Sequence, residues 1–522
     1  MRLSKSGVRN WTRLSWVLTW TAAAVLHGWS LMRFPAPFVD EAWLANRAWA
    51  LLHEGVAYGT LDAGVFEVFD GYWTYFPIVP SALHAVAILA FGGPSLLALR
   101  VETLAMGGVL IAACYRIGTH AAGRRIGALG ALLVSVSPFF LLSAHLARGD
   151  IMTAAAGYWA LALLLGNSRK RLLQSAFAGL LTGVAFEIHP LGGVFVLPSL
   201  GVFALQSGRA AALRPDAWAW GCGGVVGGAA YACLHVLRYP DTFVAIAALT
   251  HGPTHTPPIA TLNAGVIATS ALETLELLSS HWLWPGAWLI AIVWQLRRRV
   301  VGGETITSLT LCILAGFVLL VRSKFVYHGI LVSPLLDLSL AVFLLNAPRH
   351  PFGPTSLARM LAMAAILVAT STSVAHLIVR QGPDPLVAAL RAIAPRIRRP
   401  DVIIGSQIYW FGFQEHRYLS WEQIVYYRRL HPAATVEDAL QHLRPDVLIV
   451  DDHVRRFIRD DPGGAYGGEL NVSERGLNAA LTNRAMQVAA VRVPTYGAIT
   501  IYRFTWQDRH SDRTKGEVVG TD

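Results

Sequence analysis

The acidic pair Asp40-Glu41 interrupts a segment of proline, aromatic and small residues. A carboxylate beside an acceptor hydroxyl can take its proton, so an acid here is a candidate general base. The alternative is structural, because the following residues favour a helix. Asp40 would then cap this helix, and Glu41 in its first turn would interact favourably with the helix dipole. A capping box that starts at Asp40 needs Glu or Gln three residues later, and Trp43 stands there. The residues alone leave both interpretations open.

A second acid, Asp150, follows Arg148 by two residues and is also a candidate for catalysis. Its structural alternative is a helix cap, with Arg148 as its ion-pair partner. Arg148 is itself a candidate for binding the substrate or its lipid phosphate. Further along, Glu187 and His189 precede Pro190 at the end of a short apolar run. A carboxylate there is costly unless it is paired, which makes Glu187 a candidate substrate-binding residue. His189 either contacts the same substrate or packs in the turn.

A basic pair, Arg322 and Lys324, precedes Tyr327 and His328. Arginine offers a planar fork and lysine a point charge to phosphate, so this group is typical of a phosphate-binding site. The alternative is that the long side chains anchor the protein at a lipid interface. A phosphate clamp and an acidic base would together suit transfer from a lipid phosphate. Positive groups, or a metal ion, would stabilise the departing phosphate, and the sequence does not establish a metal.

Long apolar runs must position these residues. Of the 522 residues, 54% are hydrophobic and 14% are charged, whereas a soluble domain has about 25% charged residues. The mean hydropathy is +0.46. Runs of roughly 18 or more apolar residues recur, which is the length that a membrane-crossing helix needs. The sequence therefore predicts an α-helical polytopic membrane protein with about 11 transmembrane helices.

Lysine and arginine cluster between successive apolar runs, as they do in cytoplasmic loops. This bias accounts for the net charge of +11, so no nucleic-acid partner is expected; the partner is the lipid bilayer. It predicts a multi-pass protein of the plasma (inner) membrane with a cytoplasmic N-terminus and a first outer loop at residues 33–96. By this count the candidate residues lie on the outer side. Arg322 and Lys324 break the charge rule there, which indicates a function for their charge.

The C-terminal part of the chain has a different pattern. We assign residues 1–380 to the membrane domain, because no later run is long enough to span a bilayer. Short apolar segments at residues 401–405, 446–451 and 496–502 are typical of strands, and residues 436–443 favour a helix. We therefore predict a small extracytoplasmic α/β domain at residues 381–510, followed by a disordered tail at residues 511–522.

Several of these motifs together resemble the GT-C glycosyltransferases, over roughly residues 14 to 345. The similarity is to the bacterial relatives of the dolichyl-phosphate-mannose protein mannosyltransferases (glycosyltransferase family 39) and the lipid A aminoarabinose transferases. It rests on the following segments: Val-Asp-Glu-Ala-Trp at 39–43, Pro77 to Pro80, Gly93 to Arg100, Ser-Pro-Phe-Phe at 137–140, Ala-Arg-Gly-Asp at 147–150, and Arg-Ser-Lys-Phe-Val-Tyr at 322–327.

The resemblance implies a GT-C fold and an inverting transfer of a hexosyl or pentosyl group from a polyprenyl-phosphate donor. The acceptor, on the exoplasmic side, would be a lipid, a glycan or a protein. Asp40 would correspond to the family's catalytic base, Glu41 to its neighbour and Asp150 to the acid of the second loop. Arg322 and Lys324 would hold the lipid phosphate. One departure is His189, where many relatives have lysine; metal dependence varies among GT-C enzymes and is not implied.

Two other classes of protein fit parts of the pattern. A transporter or flippase of lipid-linked or envelope components would also have many spans, but its ionisable residues should lie near the bilayer midplane, often in repeated halves. The candidate residues cluster instead at one side of the predicted spans, and the sequence has no evident repeat. A scaffold for polysaccharide assembly is the third possibility. Loss of sugar transfer on substitution of Asp40 would distinguish an enzyme from both.

Overall fold

Helices make up most of the fold. The computed structural model describes residues 5–63, 77–166, 169–208, 214–244, 258–261, 263–280, 283–298, 300, 302–347, 354–379, 385–459 and 474–506. The predicted tail at residues 511–522 lies outside these residues. Within them the α-helices up to the C-terminal domain are α1 Lys5–Ser30, α2 Val39–Glu54, α3 Ile78–Phe91, α4 Leu96–Ala122, α5 Arg124–Val136, α6 Pro138–Ala144, α7 Gly149–Leu165, α8 Arg171–Ile188, α9 Val196–Ser207, α10 Pro215–Tyr231, α11 Ala264–Ser279, α12 Leu283–Arg298, α13 Gly303–Leu320, α14 Ser333–Asn346 and α15 Pro354–Val379.

Among the described residues, two helices are long and apolar enough to cross a membrane, α4 and α13. Two helix pairs, α5 with α6 and α11 with α12, are each bent at a short break and would raise the number to four. Several further apolar helices, among them α3 and α7, are shorter. The predicted helical membrane fold is confirmed, but the predicted number of spans is not established by these helices.

One predicted helix is broken. The prediction of about 11 transmembrane helices counts the apolar run at residues 126–143 as a single span, whereas the structure bends by 64° between α5 and α6. Pro138 is the first residue of α6, and it has no N–H with which to continue the hydrogen bonds of α5. Ser137 instead caps the new helix, because its hydroxyl accepts the N–H of Phe140 at 3.3 Å.

The structure divides into two compact units. The first comprises Met1–Pro35, Thr74–Phe243 and Pro253–Gln381; the second comprises Ala36–Trp73, Val244–Gly252 and Gly382–Asp522. The first unit therefore contains most of the apolar helices. The second combines the C-terminal sheet with α2, which follows the first apolar helix in sequence.

Close packing of helix backbones characterises the first unit. A Cβ added at Gly183 on α8 would lie 2.7 Å from the Cα of Gly227 on α10, so neither residue can be larger without moving a helix. Small residues at helix contacts are typical of membrane proteins, where van der Waals packing rather than the hydrophobic effect holds helices together. The core between the helices holds large fully buried side chains, among them Phe139, Tyr158 and Trp284.

A five-stranded sheet forms the centre of the second unit, with strand order β2-β1-β3-β5-β4. The strands are β1 Val402–Gly405, β2 Arg417–Ser420, β3 Val447–Val450, β4 Ala485–Val493 and β5 Gly497–Phe504. The first three run parallel, and β5 is antiparallel to both β3 and β4. The helices of this part are α16 Pro385–Ile393, α17 Glu422–Leu430, α18 Val436–Leu443, α19 Asp452–Arg459 and α20 Glu474–Arg484.

The predicted α/β character of this region is confirmed. The apolar segments at residues 401–405, 446–451 and 496–502 correspond to β1, β3 and β5, and the predicted helix corresponds to α18. β1 and β3 read as continuous apolar runs because they are central parallel strands with both faces covered. β2 and β4, which the sequence analysis did not predict, are the edge strands.

Candidate functional site

A buried ion pair stands at the start of α7. Arg148 is the residue before the helix, and its Nε donates to Oδ2 of Asp150 at 2.8 Å. Asp150 is 2% exposed and lies in the first helical turn, where the N-terminal N–H groups favour a negative charge. The predicted alternative, an ion pair at a helix start, is therefore present. It does not account for the other oxygen of Asp150, Oδ1, which has no hydrogen-bond partner.

Tyr327 and His328 reach this ion pair from a 3₁₀ segment, Val326–Leu331, that precedes α14. The guanidinium carbon of Arg148 lies 3.8 Å from the centre of the Tyr327 ring, a cation–π contact. Nε2 of His328 lies 3.6 Å from Oδ1 of Asp150. The arginine, the acid, the tyrosine and the histidine thus form one cluster.

Neighbouring helices fix the position of the 3₁₀ segment. The hydroxyl of Ser143 on α6 donates to the carbonyl oxygen of Tyr327 at 3.0 Å. The hydroxyl of Tyr158 on α7 donates to the carbonyl oxygen of Leu331, also at 3.0 Å. Gly329 permits the approach, because a Cβ there would lie 2.2 Å from the ring of Phe139. The site residues of this segment are therefore held by packing on both α6 and α7.

His189 joins the cluster from the end of α8. It precedes Pro190 and has extended backbone angles, as expected for a residue before proline, so the helix ends there. Its ring centre is 6.0 Å from that of His328. Nδ1 of His189 accepts the N–H of Leu191 at 3.2 Å. The two proposals for His189, a turn residue and a site residue, are thus both compatible with its position.

The two histidines of the cluster lie in connections between helices and are neutral at pH 7. Burial lowers the pKa of His328 to about 3, although the negative charge of Asp150 opposes the shift. Burial also lowers the pKa of His189. A neutral imidazole has a free electron pair on one ring nitrogen, which can bind a metal ion. Asp150, His189 and His328 each offer one ligand atom, and these atoms all lie within 4.8 Å of one another.

Glu187 has different surroundings. Its carboxylate accepts the backbone N–H of Ile78 at 2.7 Å and that of Val79 at 3.3 Å, and so caps the N-terminus of α3. Nε2 of His235 lies 3.2 Å from the same carboxylate. Glu187 is 3% exposed, and these contacts occupy its oxygens. The pairing that the sequence analysis required for this acid exists, and it is made with protein groups.

Lys324 is also held by protein groups. Its ammonium donates to the hydroxyl of Ser270 at 2.6 Å and to the carbonyl oxygen of Val321 at 2.7 Å, and it lies 3.5 Å from a carboxylate oxygen of Glu273. The lysine side chain is 3% exposed, and Arg322 beside it is half-buried. Any phosphate that Lys324 binds would have to share the ammonium with Ser270 and Glu273.

Asp40 and Glu41 lie in the second unit, in the first turn of α2. The helix begins one residue before Asp40, so the residue at the cap position is Phe38 and Asp40 is not the cap. Glu41 occupies the third helical position, and its Oε2 accepts the N–H of Phe38 at 2.8 Å. The capping box predicted from Asp40 therefore started at the wrong residue: with Phe38 at the cap position, the acid of the third helical position is Glu41, not the residue at 43. Glu41 is fully buried, whereas Asp40 is half-buried.

A buried ion pair that was not predicted from the sequence anchors the rest of α2. Nε of Arg47 lies 3.1 Å from Oδ2 of Asp62, and the two side chains are 3% and 0% exposed. The indole N–H of Trp43 donates to the same carboxylate. From α17, the amide of Gln423 donates to the carbonyl oxygen of Leu61 at 3.1 Å. Asp62 lies 15 residues after Arg47, beyond the end of α2, so no local spacing indicated the pair.

Comparison with known proteins bears on the identity of this fold. The solved structure of ArnT from Cupriavidus metallidurans bound to undecaprenyl phosphate is 16% identical, covers 93% of this chain and 97% of its own, and has a TM-score of 0.61. The apo structure of the same protein is 16% identical, covers 95% and 98%, and has a TM-score of 0.57. The chain has the GT-C fold. The fold that the sequence motifs implied is thereby confirmed.

A family model agrees with the GT-C fold. Residues 76–234 match the model of the dolichyl-phosphate-mannose-protein mannosyltransferases, a region that includes Asp150 and His189. A search of curated protein sequences gave no match. The resemblance to membrane glycosyltransferases therefore rests on the family model over the central helices and on the fold over nearly the whole chain.

Proposed function

We propose that this GT-C protein is an integral membrane glycosyltransferase that moves a sugar from a polyprenyl-phosphate donor to an acceptor hydroxyl on the exoplasmic side of the plasma membrane. The observation that carries the proposal is the similarity in fold, over 93% of the chain, to a protein solved with undecaprenyl phosphate bound. The match to the mannosyltransferase family model supports the same reaction class. The acceptor is a lipid, a glycan or a protein.

In the proposed reaction, the acceptor oxygen attacks the anomeric carbon of the sugar while the bond from that carbon to the phosphate oxygen breaks. The configuration inverts, because attack and departure occur on opposite faces. Asp40 takes the proton of the acceptor hydroxyl, and the polyprenyl phosphate leaves with the bonding electrons. Phosphate is a good leaving group, so no general acid is needed.

Glu41 and Asp40, the two acids in the first turn of α2, differ in burial, and we therefore assign them different roles. Glu41 is fully buried and its carboxylate already accepts the Phe38 N–H, so we assign it a structural role. Asp40 is half-buried in the same turn, and we assign the base to it. A base of this kind contributes roughly 10²–10⁴-fold to the rate.

Positive groups would stabilise the leaving phosphate. Arg148 is the best placed of the described arginines, because it stacks on Tyr327 and is oriented by Asp150. Arginine also matches the geometry of phosphate better than lysine does. Arg322 and Lys324 remain proposed contacts of the lipid phosphate, with Lys324 sharing its charge with Glu273.

Mass spectrometry of lipid-linked sugars and envelope glycans in a deletion strain tests the function. The deletion should accumulate a polyprenyl-phosphate sugar and lose one glycan modification. Wild-type protein should restore the modification, as should Glu54→Gln, a control at an exposed acid on α2. Asp40→Asn should be produced and folded but restore roughly 1% or less, as loss of a general base implies. An unchanged glycan profile in the deletion strain would refute the transferase; full rescue by Asp40→Asn would refute only the base.

A further inference from the structure

We propose that Asp150, His189 and His328 form a binding site for one divalent transition-metal ion, of which Zn²⁺ is the best match. The three residues come from three separate elements: the start of α7, the end of α8 and the 3₁₀ segment before α14. Two imidazoles and one carboxylate are a donor set that suits zinc and its neighbours, whereas Mg²⁺ and Ca²⁺ prefer oxygen ligands. The proposal concerns metal binding and does not depend on the proposed sugar transfer.

The spacing of the ligand atoms is close to that of a tetrahedral site. Zinc binds nitrogen and carboxylate oxygen at about 2.1 Å, so two ligands at a tetrahedral angle stand about 3.4 Å apart. Oδ1 of Asp150 and Nε2 of His328 are 3.6 Å apart. The whole set lies within 4.8 Å, so the third ligand needs to approach by about 1 Å. Such a shift is within the range of a side-chain rotation.

The unused oxygen of Asp150 is a second, independent indication of a ligand. Asp150 is 2% exposed, and its Oδ1 makes no hydrogen bond. The 3.6 Å to His328 exceeds hydrogen-bond distance. A charged oxygen without a partner in a buried site is costly, so its presence calls for an explanation. A metal ion between Asp150 and the two histidines would supply the missing partner.

Surrounding groups contact all three ligands. Arg148 binds Oδ2 of Asp150 at 2.8 Å and so directs Oδ1 towards the histidines. Nδ1 of His328 accepts the N–H of Phe325 at 3.3 Å, so metal binding through Nε2 would replace this contact, because Nδ1 would then carry the ring proton. At His189, metal binding through Nε2 would replace the 3.2 Å contact of Nδ1 with the Leu191 N–H.

The charge of the loaded site indicates what it would bind. Asp150 and Arg148 cancel, so a divalent ion would leave two positive charges in a buried place. A phosphate group with two negative charges would balance them, and a metal ion binds phosphate oxygen readily. Lipid phosphate and free inorganic phosphate share this chemistry. Binding of lipid phosphate and of free phosphate to the Zn²⁺-loaded protein, measured separately, would show which of the two the site selects.

Metal titration of the whole protein tests the site. The chain should be purified in lipid nanodiscs with a tag that contains no histidine, and stripped of metal with a chelator. Zn²⁺ affinity is then measured by competition with a coloured chelator, and Co²⁺ is used for its visible absorption bands. We expect one Zn²⁺ per chain, no competition from Mg²⁺, and Co²⁺ bands typical of a four- or five-coordinate ion.

Three variants locate the site: His189→Leu, His328→Leu and Asp150→Asn. Each should weaken Zn²⁺ binding by more than the roughly 10- to 100-fold loss that removal of an outer-shell partner causes. His53→Leu, at an exposed histidine on α2, is the matched control and should bind Zn²⁺ normally. Size-exclusion profiles of the metal-free variants show which have folded. If His328→Leu is the only folded variant, its Zn²⁺ affinity is sufficient to test the site. Absence of Zn²⁺ binding by wild type, or binding that survives in folded His328→Leu, would overturn the proposal, whatever the outcome for sugar transfer.

Discussion

Arg148 and Asp150 form a buried ion pair across the first turn of α7, with 2.8 Å between Nε and Oδ2. The guanidinium also stacks on Tyr327, so a single arginine both neutralises the acid and joins α7 to the 3₁₀ segment. Its partner Asp150 belongs to the proposed metal site through its other oxygen. The pair therefore determines how much charge the cluster carries before any ligand binds.

Arg148→Met should destabilise the metal-free protein, because it leaves Asp150 as a buried charge without its partner. Breaking a buried pair from one side costs about 3–5 kcal/mol. The double variant Arg148→Met/Asp150→Asn removes both charges and should recover a large part of that loss. Thermal unfolding of chelator-treated protein in nanodiscs measures both. If Arg148→Met unfolds at the wild-type temperature, or the double variant is less stable than the single one, the pair has no such role.

Glu41 and Asp40 should respond differently to substitution although they are neighbours. Glu41→Ala leaves the Phe38 N–H without its acceptor and should cost about 1 kcal/mol of stability, the usual value of a helix cap. Glu41→Gln keeps an acceptor oxygen and should be nearly neutral. Asp40→Asn keeps the size of the side chain and removes a favourable charge near the helix dipole, so it should change stability by less than about 1 kcal/mol.

Sugar transfer distinguishes the two acids further. Asp40→Asn should abolish transfer while the protein remains folded, and Glu41→Gln should retain it. Glycan mass spectrometry of complemented deletion strains, with thermal unfolding of each purified variant, gives both readouts. Loss of transfer in a stable Glu41→Gln together with full activity of Asp40→Asn would reverse the assignment of the base.

The buried pair Arg47–Asp62 should stabilise the second unit far more than an exposed pair does. Arg47→Met leaves the fully buried Asp62 without its main partner, at a cost of about 3–5 kcal/mol. Arg484 and Glu437 offer the comparison: they are 3.1 Å apart but more than a third exposed, and Arg484→Met should cost at most about 1 kcal/mol. Thermal unfolding of the full-length variants should rank them in this order; equal losses would contradict the argument from burial.

The sequence predicted those strands and helices whose own residues show a clear apolar pattern. The segments that form β1 and β3 are continuous and apolar because central parallel strands are covered on both faces. In α18 the apolar residues recur at helical spacing and form one buried face. The edge strand β2 was missed because Arg417 and Tyr418 give it no such pattern. The break between α5 and α6 was missed because Pro138 stands within an otherwise uniform apolar run.

Residue types were enough to name candidate site residues, but contacts between residues far apart in sequence could not be predicted. Acids, arginines and histidines that could serve a phosphate-transfer site were recognisable by type, and five of the residues named from the sequence (Arg148, Asp150, His189, Tyr327 and His328) form one cluster. The capping of α3 by Glu187 could not be foreseen, because its partners lie over a hundred residues away in sequence. The same holds for the partnership of Lys324 with Ser270.

Glu422 gives the second unit a predictable dependence on pH. Its carboxyl group is buried on α17, accepts the amide of Gln407 and the hydroxyl of Tyr426 at 3.1 Å each, and faces the negative charge of Asp62. Burial, aided by that charge, raises the pKa of Glu422 from 4.5 to about 7. The folded state therefore binds a proton more tightly than the unfolded state does.

The contribution of Glu422 to stability is fully present below pH 4.5 and is lost as the pH rises through about 7, because the folded state must then either release the proton or bury a charge. A shift of this size corresponds to roughly 3 kcal/mol. Glu422→Gln cannot ionise, so relative to wild type it should gain stability between pH 5 and pH 8. Thermal unfolding of wild type, Glu422→Gln and the exposed-site control Glu54→Gln at pH 5, 6, 7 and 8 measures the difference. A difference between wild type and Glu422→Gln that is constant across this range would mean that Glu422 keeps its ordinary pKa and that Asp62 does not act on it.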